Sequence, residues 1–313
     1  MSEIEKFELS NDKLIDAPTA IFYLVGGLGN QLFILNYALS LRSAKVIFLW
    51  NPETCRLEEN VPVIFPLLSS TEGKIVFHKV ESAFQTLILN KMLGLSEMKF
   101  RNPKYKIIFR ILFDVLQQLL SSFLANDFKS GKNKFVIKIG YFQDRRFAKI
   151  ELIRRFFLNR QRTDLVSVYK KRAESEMPLI VHVRLGDYLH IPSMDLLDKD
   201  YYREAIELIW DPNRFAKIWV FSDSQIDKAD YLPSKLVNYC DLINDENFSA
   251  LDLLEVMSFG SGFVISNSTL SWWGAVLSSN GHSHVVAPHP WFSRFPNREN
   301  LYFENWIKIE RKR

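Results

Sequence analysis

Residues 181–188 place an arginine and an aspartate three positions apart, where a strand-like apolar stretch runs into a glycine. A guanidinium such as that of Arg184 can bind a phosphate through paired, charge-assisted hydrogen bonds. A carboxylate such as that of Asp187 can accept a proton from a group beside that phosphate. We therefore predict that Arg184 binds an anion and that Asp187 is the general base. The alternative is that Asp187, which follows a glycine, only holds a turn.

Two further polar groups follow strand-like segments. Ser222 and Asp223 come after residues 218–221, and the sequence Ser-Asn-Ser-Thr at 266–269 ends another apolar stretch. Strand and helix patterns alternate from residue 179 to residue 287, which is typical of a parallel sheet covered by helices. Such sheets bind ligands beyond the carboxyl ends of their strands, so we expect the three loops to converge.

The sequence at 266–269 also precedes an apolar helical pattern. The first backbone amides of a helix, together with its positive end, can bind an anion without a basic side chain. Asn267, Ser268 and Thr269 are therefore candidate phosphate contacts, and ordinary helix capping is the alternative for Asn267 and Ser268. Trp272 and Trp273 in the same helix are predicted to pack in the core.

A glycine-rich turn follows the first strand-like segment of the chain. Gly26 and Gly27 would allow a ligand to approach the backbone closely, and Asn30 and Gln31 carry amides suited to sugar hydroxyls or to a donor across a cleft. A dinucleotide site begins with a similar turn. That alternative fits poorly, because Leu32 stands where the third glycine of the dinucleotide fingerprint is expected.

Other carboxylates have two interpretations each. Asp252, near the start of a predicted helix, either complements the helix dipole or accepts hydrogen bonds from guanine. Asp198 and Asp200 could hold a divalent ion. Because a helical pattern begins at Tyr201, we expect Asp200 to cap that helix instead, and we predict no metal cofactor.

The length of 313 residues and the apolar fraction of 47% predict a globular chain of two domains. The first opens with a β-α-β pattern and the second contains the regular alternation described above. We place the boundary in a basic stretch, which gives domains 1–165 and 166–313. The C-terminal tail either belongs to the second domain or packs back on the first.

The most apolar window, residues 107–124, contains Arg110, Asp114, Gln117 and Gln118. Crossing a bilayer would bury charges without evident partners, so we do not expect a membrane span. The pattern predicts a mostly buried helix with a narrow polar stripe.

Residues 129–172 hold 14 lysines and arginines but only 3 acids. Together with the preceding helix, residues 105–172 could hold the protein peripherally against anionic lipid, and a solvated charged surface is the alternative. Nucleic acid is not expected, because no base-reading motif is present.

Two features favour a cytoplasmic location. If the basic stretch contacts lipid, the protein would lie on the inner face of the membrane. The first ten residues are polar and include three glutamates, unlike a secretory signal. Cys55 and Cys240 match no metal or redox spacing and fit a reducing compartment.

The motifs together resemble glycosyltransferase family 11, the inverting α-1,2-fucosyltransferases. The order and spacing of the sequence blocks make the resemblance specific, and it covers nearly the whole chain. The blocks are GGLGNQLF at 26–33, GYFQ at 140–143, HVRLGDY at 182–188, YYREAIELI at 201–209, FSDS at 221–224, SNSTLSWWGA at 266–275 and VVAPHPWF at 285–292.

The resemblance implies a GT-B fold, in which two Rossmann-like α/β domains face a cleft. It implies that the C-terminal domain binds GDP-fucose and that the N-terminal domain faces an acceptor, either an oligosaccharide or a lipid-linked glycan. The reaction would be a metal-independent transfer of fucose, forming an α-1,2 linkage to the 2-hydroxyl of a galactose, in cell-surface polysaccharide biosynthesis.

The resemblance also assigns roles by position. Arg184 is similar to the arginine that binds the β-phosphate of the donor, and His182 and Asp252 are similar to residues around guanine. Ser268 and Thr269 match the helix start that binds phosphate.

The chain departs from the family pattern at two positions. Leu185 replaces a second arginine and Ser224 replaces a common acid, so another GDP-sugar remains an alternative donor. Asp144 and His190 are reserve candidates for the general base. A protein that binds a GDP-sugar without turnover is the non-enzymatic alternative.

Overall fold

The computed structural model describes residues 19–41, 45–68, 75–101, 106–127, 135–147, 149–190, 196–243, 246–278, 284–292 and 298–311. The chain divides into two compact units, Met1–Phe142 and Gln143–Arg313, here called unit 1 and unit 2. Each unit contains a parallel sheet and several helices, which confirms the predicted α/β class.

Unit 1 contains a four-stranded sheet whose strands all run parallel, and a separate antiparallel pair of short strands. The order in the larger sheet is β5-β2-β1-β6. The central strand, β1, is apolar and buried along almost its whole length, as expected for a strand with neighbours on both sides. The elements are β1 (Thr19–Gly26), α1 (Leu28–Ser40), β2 (Lys45–Cys55), β3 (Leu57–Glu58), β4 (Val61–Pro62), α2 (Phe65–Leu68), β5 (Ile75–Lys79), α3 (Ala83–Arg101), α4 (Lys106–Asp127) and β6 (Phe135–Lys138).

Unit 2 contains a six-stranded parallel sheet in the order β12-β11-β10-β7-β8-β9. The interior strand β7 is buried at all five positions. Trp272 and Trp273 are fully buried, which confirms their predicted place in the core. The elements are α5 (Ile150–Asn159), α6 (Asp164–Glu176), β7 (Leu179–Val183), α7 (Lys199–Ile209), β8 (Ile218–Ser222), α8 (Lys228–Tyr231), β9 (Cys240–Leu242), α9 (Ala250–Met257), β10 (Gly262–Val264), α10 (Thr269–Leu277), β11 (Val285–His289) and β12 (Ile307–Glu310).

The division between the units lies earlier in the chain than the predicted boundary at residue 165. α5 packs against α10, and α6 packs against α9, so both helices belong to unit 2. The Arg154 side chain adds to this packing by donating a hydrogen bond of 3.3 Å to the carbonyl of Leu277 at the end of α10. The C-terminal strand β12 pairs with β11, which places residues 307–310 in unit 2 as well.

The basic stretch also differs from the expected free cationic surface. Arg160 forms ion pairs with Asp252 and Glu255, two buried acids of α9. Arg162 also pairs with Glu255, and Arg172 pairs with Glu176 at 2.9 Å. A buried carboxylate needs such a partner, because desolvation of an unpaired charge is costly. These arginines therefore stabilise unit 2 and are not available to a lipid surface.

The helix α4 is not the mostly buried helix that its apolar sequence predicts. Over Ile107–Leu124 it is long and apolar enough to cross a membrane by length and composition, yet only 11% of that window is buried. Leu120 and Leu124 lie in the core, whereas Ile107, Ile111 and Val115 are exposed. Hydrophobicity in a sequence shows which side chains favour burial, but it does not show how much of a helix its neighbours cover.

Candidate active site in unit 2

Three loops of unit 2 lie side by side at one edge of its sheet. β10, β7 and β8 are adjacent and parallel, so the segments that follow them leave from the same edge. The hydroxyl of Tyr188, after β7, donates a hydrogen bond of 3.2 Å to the carbonyl of Asn267, after β10. Asp223, after β8, forms an ion pair of 2.6 Å with Arg184. The predicted convergence of these loops is therefore confirmed.

Arg184 lies at the meeting point of the three loops. Its guanidinium is ion-paired with Asp187 and Asp223, and it lies 5.3 Å from the centre of the Tyr188 ring. The side chain is 22% exposed. Its Nε is buried and has no hydrogen-bond partner among the residues that the structure describes. The group is thus fixed in orientation, retains a free donor and remains partly open to solvent.

Asp223 holds the arginine loop and was not among the predicted site residues. One carboxylate oxygen accepts a hydrogen bond of 2.9 Å from the backbone amide of Leu185, while the other faces Arg184. Gly186 makes room for it, because a Cβ at that position would lie 2.8 Å from Asp223 Cγ. The feature of the sequence that could have identified Asp223 is its position directly after a strand, within the block FSDS. Ser224 also holds this loop, because its hydroxyl accepts a hydrogen bond of 3.1 Å from the backbone amide of Gly186.

The start of α10 combines the predicted phosphate-binding residues with ordinary capping. Ser268 is the N-cap residue, and its hydroxyl accepts a hydrogen bond of 3.3 Å from the amide of Leu270. Asn267 and Ser268 are buried, whereas Thr269 is partly exposed. Capping explains the position of Ser268. Tyr188 contacts Asn267 next to this cap, so the positive end of α10 lies close to the loop after β7.

His182 is a neutral histidine beneath this loop cluster. It is buried, and its Nδ1 lies 3.1 Å from the hydroxyl of Ser266. Burial and, to a smaller extent, the positive charge of Arg184 together lower the pKa of His182 to about 3. The imidazole therefore carries no charge near neutral pH, and it links β7 to the segment after β10.

Two tyrosines of α7 brace the same loops and were not predicted as site residues, although the block YYREAIELI contains them. The hydroxyl of Tyr201 donates a hydrogen bond of 2.6 Å to the carbonyl of Ile265, just after β10. Tyr202 is hydrogen-bonded to the backbone of Arg184, and burial raises its pKa far above the usual value. Both tyrosines are almost fully buried and stay protonated.

The helix α7 is capped by a different aspartate from the one expected. Asp198 is the N-cap and accepts a hydrogen bond of 2.7 Å from the amide of Tyr201. Asp200, the predicted cap, is exposed and pairs with Arg203 at 3.1 Å. The cap lies two residues before Asp200 because α7 begins at Lys199. Within the described parts of the chain, no group of three or more His, Cys, Asp or Glu could hold a metal ion.

Asp252 is engaged by protein groups. One oxygen pairs with Arg160, and the other accepts a hydrogen bond of 2.8 Å from the hydroxyl of Ser249 in a capping box at the start of α9. Only 4% of the residue is exposed. A carboxylate at this helix start agrees with the interpretation that Asp252 complements the helix dipole. The guanine contact remains a prediction that would require Arg160 to move.

The glycine-rich turn lies in unit 1. Gly26 has a positive φ of 71°, and a Cβ there would come within 2.6 Å of Asn30 Nδ2, so this position requires glycine. A Cβ at Gly27, the N-cap of α1, would meet open space. Gln31 is fully buried, and its amide donates hydrogen bonds of 2.9 Å and 3.0 Å to the carbonyls of Gly26 and Arg56. Gln31 thus fixes the turn and does not present its amide to solvent.

The three candidates for the general base differ in exposure. The Asp187 side chain is 56% exposed and paired with Arg184. Asp144 is buried, pairs with Arg146 at 2.5 Å and accepts a hydrogen bond of 3.2 Å from Asn300. The side chain of His190 lies outside the described residues. Asp187 is therefore the more accessible of the two described carboxylates.

Sequence comparison identifies the family. The profile of glycosyl transferase family 11 matches residues 117–310. The chain belongs to this family. The resemblance noted from the motifs is thereby confirmed, and the chain is assigned to a family of glycosyltransferases.

Two curated relatives come from Escherichia coli. The O-antigen biosynthesis glycosyltransferase WbnK is 29% identical, over 91% of this chain and 99% of that protein. An alpha-1,2-colitosyltransferase is 28% identical, over 42% of this chain and 47% of that protein.

Among solved structures, a family 9 glycosyl transferase from Veillonella parvula is 10% identical, with a TM-score of 0.44 over 95% of this chain and 88% of that one. POFUT1 in complex with GDP is 13% identical, with a TM-score of 0.45 over 88% of this chain and 99% of that one.

The neutral state of His182 predicts a specific loss of stability in acid. The unfolded chain has an ordinary histidine pKa near 6.5, whereas the folded value is about 3. Between these values the unfolded state binds more protons, so the free energy of unfolding falls as the pH falls, by up to about 1.4 kcal/mol per unit. Urea unfolding from pH 7.5 to pH 4 should show a shallower fall for His182→Gln than for the wild type.

The variant His289→Gln is the matched control of opposite sign. Glu299 and Glu310 raise the pKa of His289, so its contribution to stability is present at low pH and is lost as the pH rises. In the His289→Gln variant, the free energy of unfolding should therefore fall more steeply as the pH is lowered. Parallel curves for the wild type and His182→Gln would contradict a buried neutral His182.

Proposed function

We propose that this protein transfers fucose from GDP-fucose to an acceptor hydroxyl, with inversion at the anomeric carbon, during assembly of a cell-surface polysaccharide. The acceptor is the 2-hydroxyl of a galactose in an oligosaccharide or lipid-linked glycan, and the reaction takes place in the cytoplasm. The observation that carries the proposal is the position of Arg184. In a family 11 chain, a fixed guanidinium lies beside a helix start at the carboxyl edge of a parallel sheet.

Donor binding follows from the charges at this edge. The diphosphate of GDP-fucose is anionic, and the partly exposed guanidinium of Arg184 offers it a positive charge. The backbone amides at the start of α10 offer further donors to the same group. Asp187 and Asp223 hold the guanidinium in place, so it need not reorganise when the donor binds.

The chemical step is a single displacement. The acceptor oxygen forms a bond to the anomeric carbon while the bond from that carbon to the β-phosphate oxygen breaks, and GDP leaves. Negative charge grows on the leaving phosphate, so Arg184 and the helix start stabilise the transition state more than the bound donor. These positive groups supply the charge that a divalent metal supplies in other transferases, and the reaction is therefore metal-independent.

Asp187 accepts the proton of the acceptor hydroxyl. Its carboxylate is the exposed one of the pair that flanks Arg184, so an acceptor can reach it. The ion pair with Arg184 must loosen as the proton arrives, because protonation removes the negative charge of the carboxylate. His182 and Asp252 remain proposed contacts of the guanine, and Gly26, Gly27 and Asn30 remain proposed contacts of the substrate.

The names of the relatives support the biological setting and the linkage, but not fucose itself. The name of WbnK gives O-antigen biosynthesis, and the name of the second relative gives α-1,2 transfer of colitose. That second name favours another GDP-sugar as the alternative donor. Leu185 adds to this alternative, because it packs against the core of unit 2 where the family pattern has a second arginine.

A donor panel tests the proposal. Purified protein incubated with GDP-fucose and a galactose-terminated acceptor should release GDP and form an α-1,2 fucoside, identified by mass spectrometry and NMR. GDP-mannose and UDP-sugars should give little product, and a chelator should leave the rate unchanged. Tight binding of GDP-fucose without transfer to any acceptor would favour the non-catalytic alternative, and faster transfer from another GDP-sugar would replace the donor.

The two carboxylates beside Arg184 provide a matched test of the base. Both Asp187→Asn and Asp223→Asn remove one ion pair of the same guanidinium, but only Asp187→Asn removes the proposed base. We expect Asp187→Asn to lower kcat by about 10²- to 10⁴-fold while the affinity for GDP changes little. Asp223→Asn should mainly weaken GDP binding. Equal effects of the two variants on kcat would move the base elsewhere, with Asp144 next to be tested.

A further inference from the structure

An apolar surface covers one side of α4. Seven exposed apolar side chains lie on that side of the helix, and Leu120 and Leu124 on the other side are buried in unit 1. Contiguous exposed apolar surface of this size is unusual for a soluble monomer and marks an interaction site. The exposed residues are Ile107, Ile108, Ile111, Leu112, Val115, Leu119 and Phe123.

The apolar surface continues onto α3. Phe84 and Leu87 are each about half exposed, at 51% and 54%. The ring of Phe84 packs edge-on against that of Phe123, with 5.4 Å between the ring centres. We call the exposed residues of these two helices the α3–α4 surface.

The sequence around α4 is strongly basic at both ends. Residues 99–106 contain four lysines and arginines and no acid, and residues 127–138 contain four lysines and one acid, Asp127. Within α4, Arg110 is balanced by Asp114 at 3.9 Å. An apolar strip flanked by positive charge complements a membrane of anionic lipid, which combines an apolar interior with negative headgroups.

We propose that the α3–α4 surface binds anionic lipid, with α4 lying in the plane of the membrane interface. α4 does not cross the bilayer, because its Leu120 and Leu124 side packs into unit 1 with α3 and β6. A second copy of the chain is a poorer partner. In a twofold dimer of this surface, the two basic ends of one α4 would face basic ends of the other, and like charges repel. The proposal is independent of which sugar the enzyme transfers.

Vesicle binding by the full-length chain tests the proposal. Cosedimentation should be measured with vesicles of phosphatidylcholine alone and of phosphatidylcholine mixed with phosphatidylglycerol. The protein should bind the anionic vesicles, and the binding should weaken as salt is added, because screening reduces the headgroup attraction. The double variant Ile111→Gln, Val115→Gln should reduce binding at least about tenfold, because it removes apolar area that inserts into the interface.

The double variant Val168→Gln, Leu208→Gln is the matched control. These side chains are equally exposed, at 54% and 55%, but belong to unit 2. The control should bind vesicles like the wild type, and both double variants should keep the wild-type circular dichroism spectrum and the rate of transfer to a soluble acceptor. Wild-type vesicle binding by the Ile111→Gln, Val115→Gln variant would overturn the proposal. So would a wild-type dimer in solution that this variant makes monomeric and that does not bind vesicles.

Discussion

The site in unit 2 depends on one partly buried positive charge. Arg184 stands where three strands of a parallel sheet end, and removing a guanidinium from water costs free energy unless other groups compensate. Asp187 and Asp223 provide that compensation, and Tyr188 covers one side of the group. Two carboxylates around one guanidinium give these three side chains a net negative charge. An incoming diphosphate must therefore be attracted by the exposed part of the guanidinium and by the start of α10.

The layer beneath Arg184 is polar but uncharged. His182 is neutral, Tyr201 and Tyr202 remain protonated, and each makes a hydrogen bond to a neighbouring group. Such a layer fixes the loops without adding a charge that would compete with the donor phosphates. Charges also interact more strongly beside buried groups than in bulk water. The tyrosines of α7 thus act on Arg184 and on the end of β10 as positioning residues.

The sequence was sufficient to predict that three loops meet at one edge of a parallel sheet, because alternating strands and helices imply such a sheet and its strands end at a shared edge. This reasoning placed Arg184, Asn267 and Ser268 on neighbouring loops, and the structure has them there. The pairing of Arg160 with Asp252 was not, because the two residues are distant in sequence and no local pattern links them. The contacts of Gln31 were not predictable for a related reason, because its amide donates a hydrogen bond to the carbonyl of Arg56, which follows β2. The exposure of α4 depends on how much surface its neighbours cover, which composition does not encode.

The central claim is that Arg184 and the first amides of α10 bind the same β-phosphate. Thr269 is the first residue of α10, and Ser268 before it has an extended conformation compatible with a following proline. Thr269→Pro therefore removes one amide donor while the helix can still form, and Thr269→Ala retains the amide. Calorimetry of GDP and GMP measures the contribution of the β-phosphate as the ratio of the two affinities. We expect Arg184→Gln and Thr269→Pro each to lower this ratio at least about tenfold, with Thr269→Ala close to the wild type. An unchanged ratio in either of the first two variants would contradict a shared phosphate site.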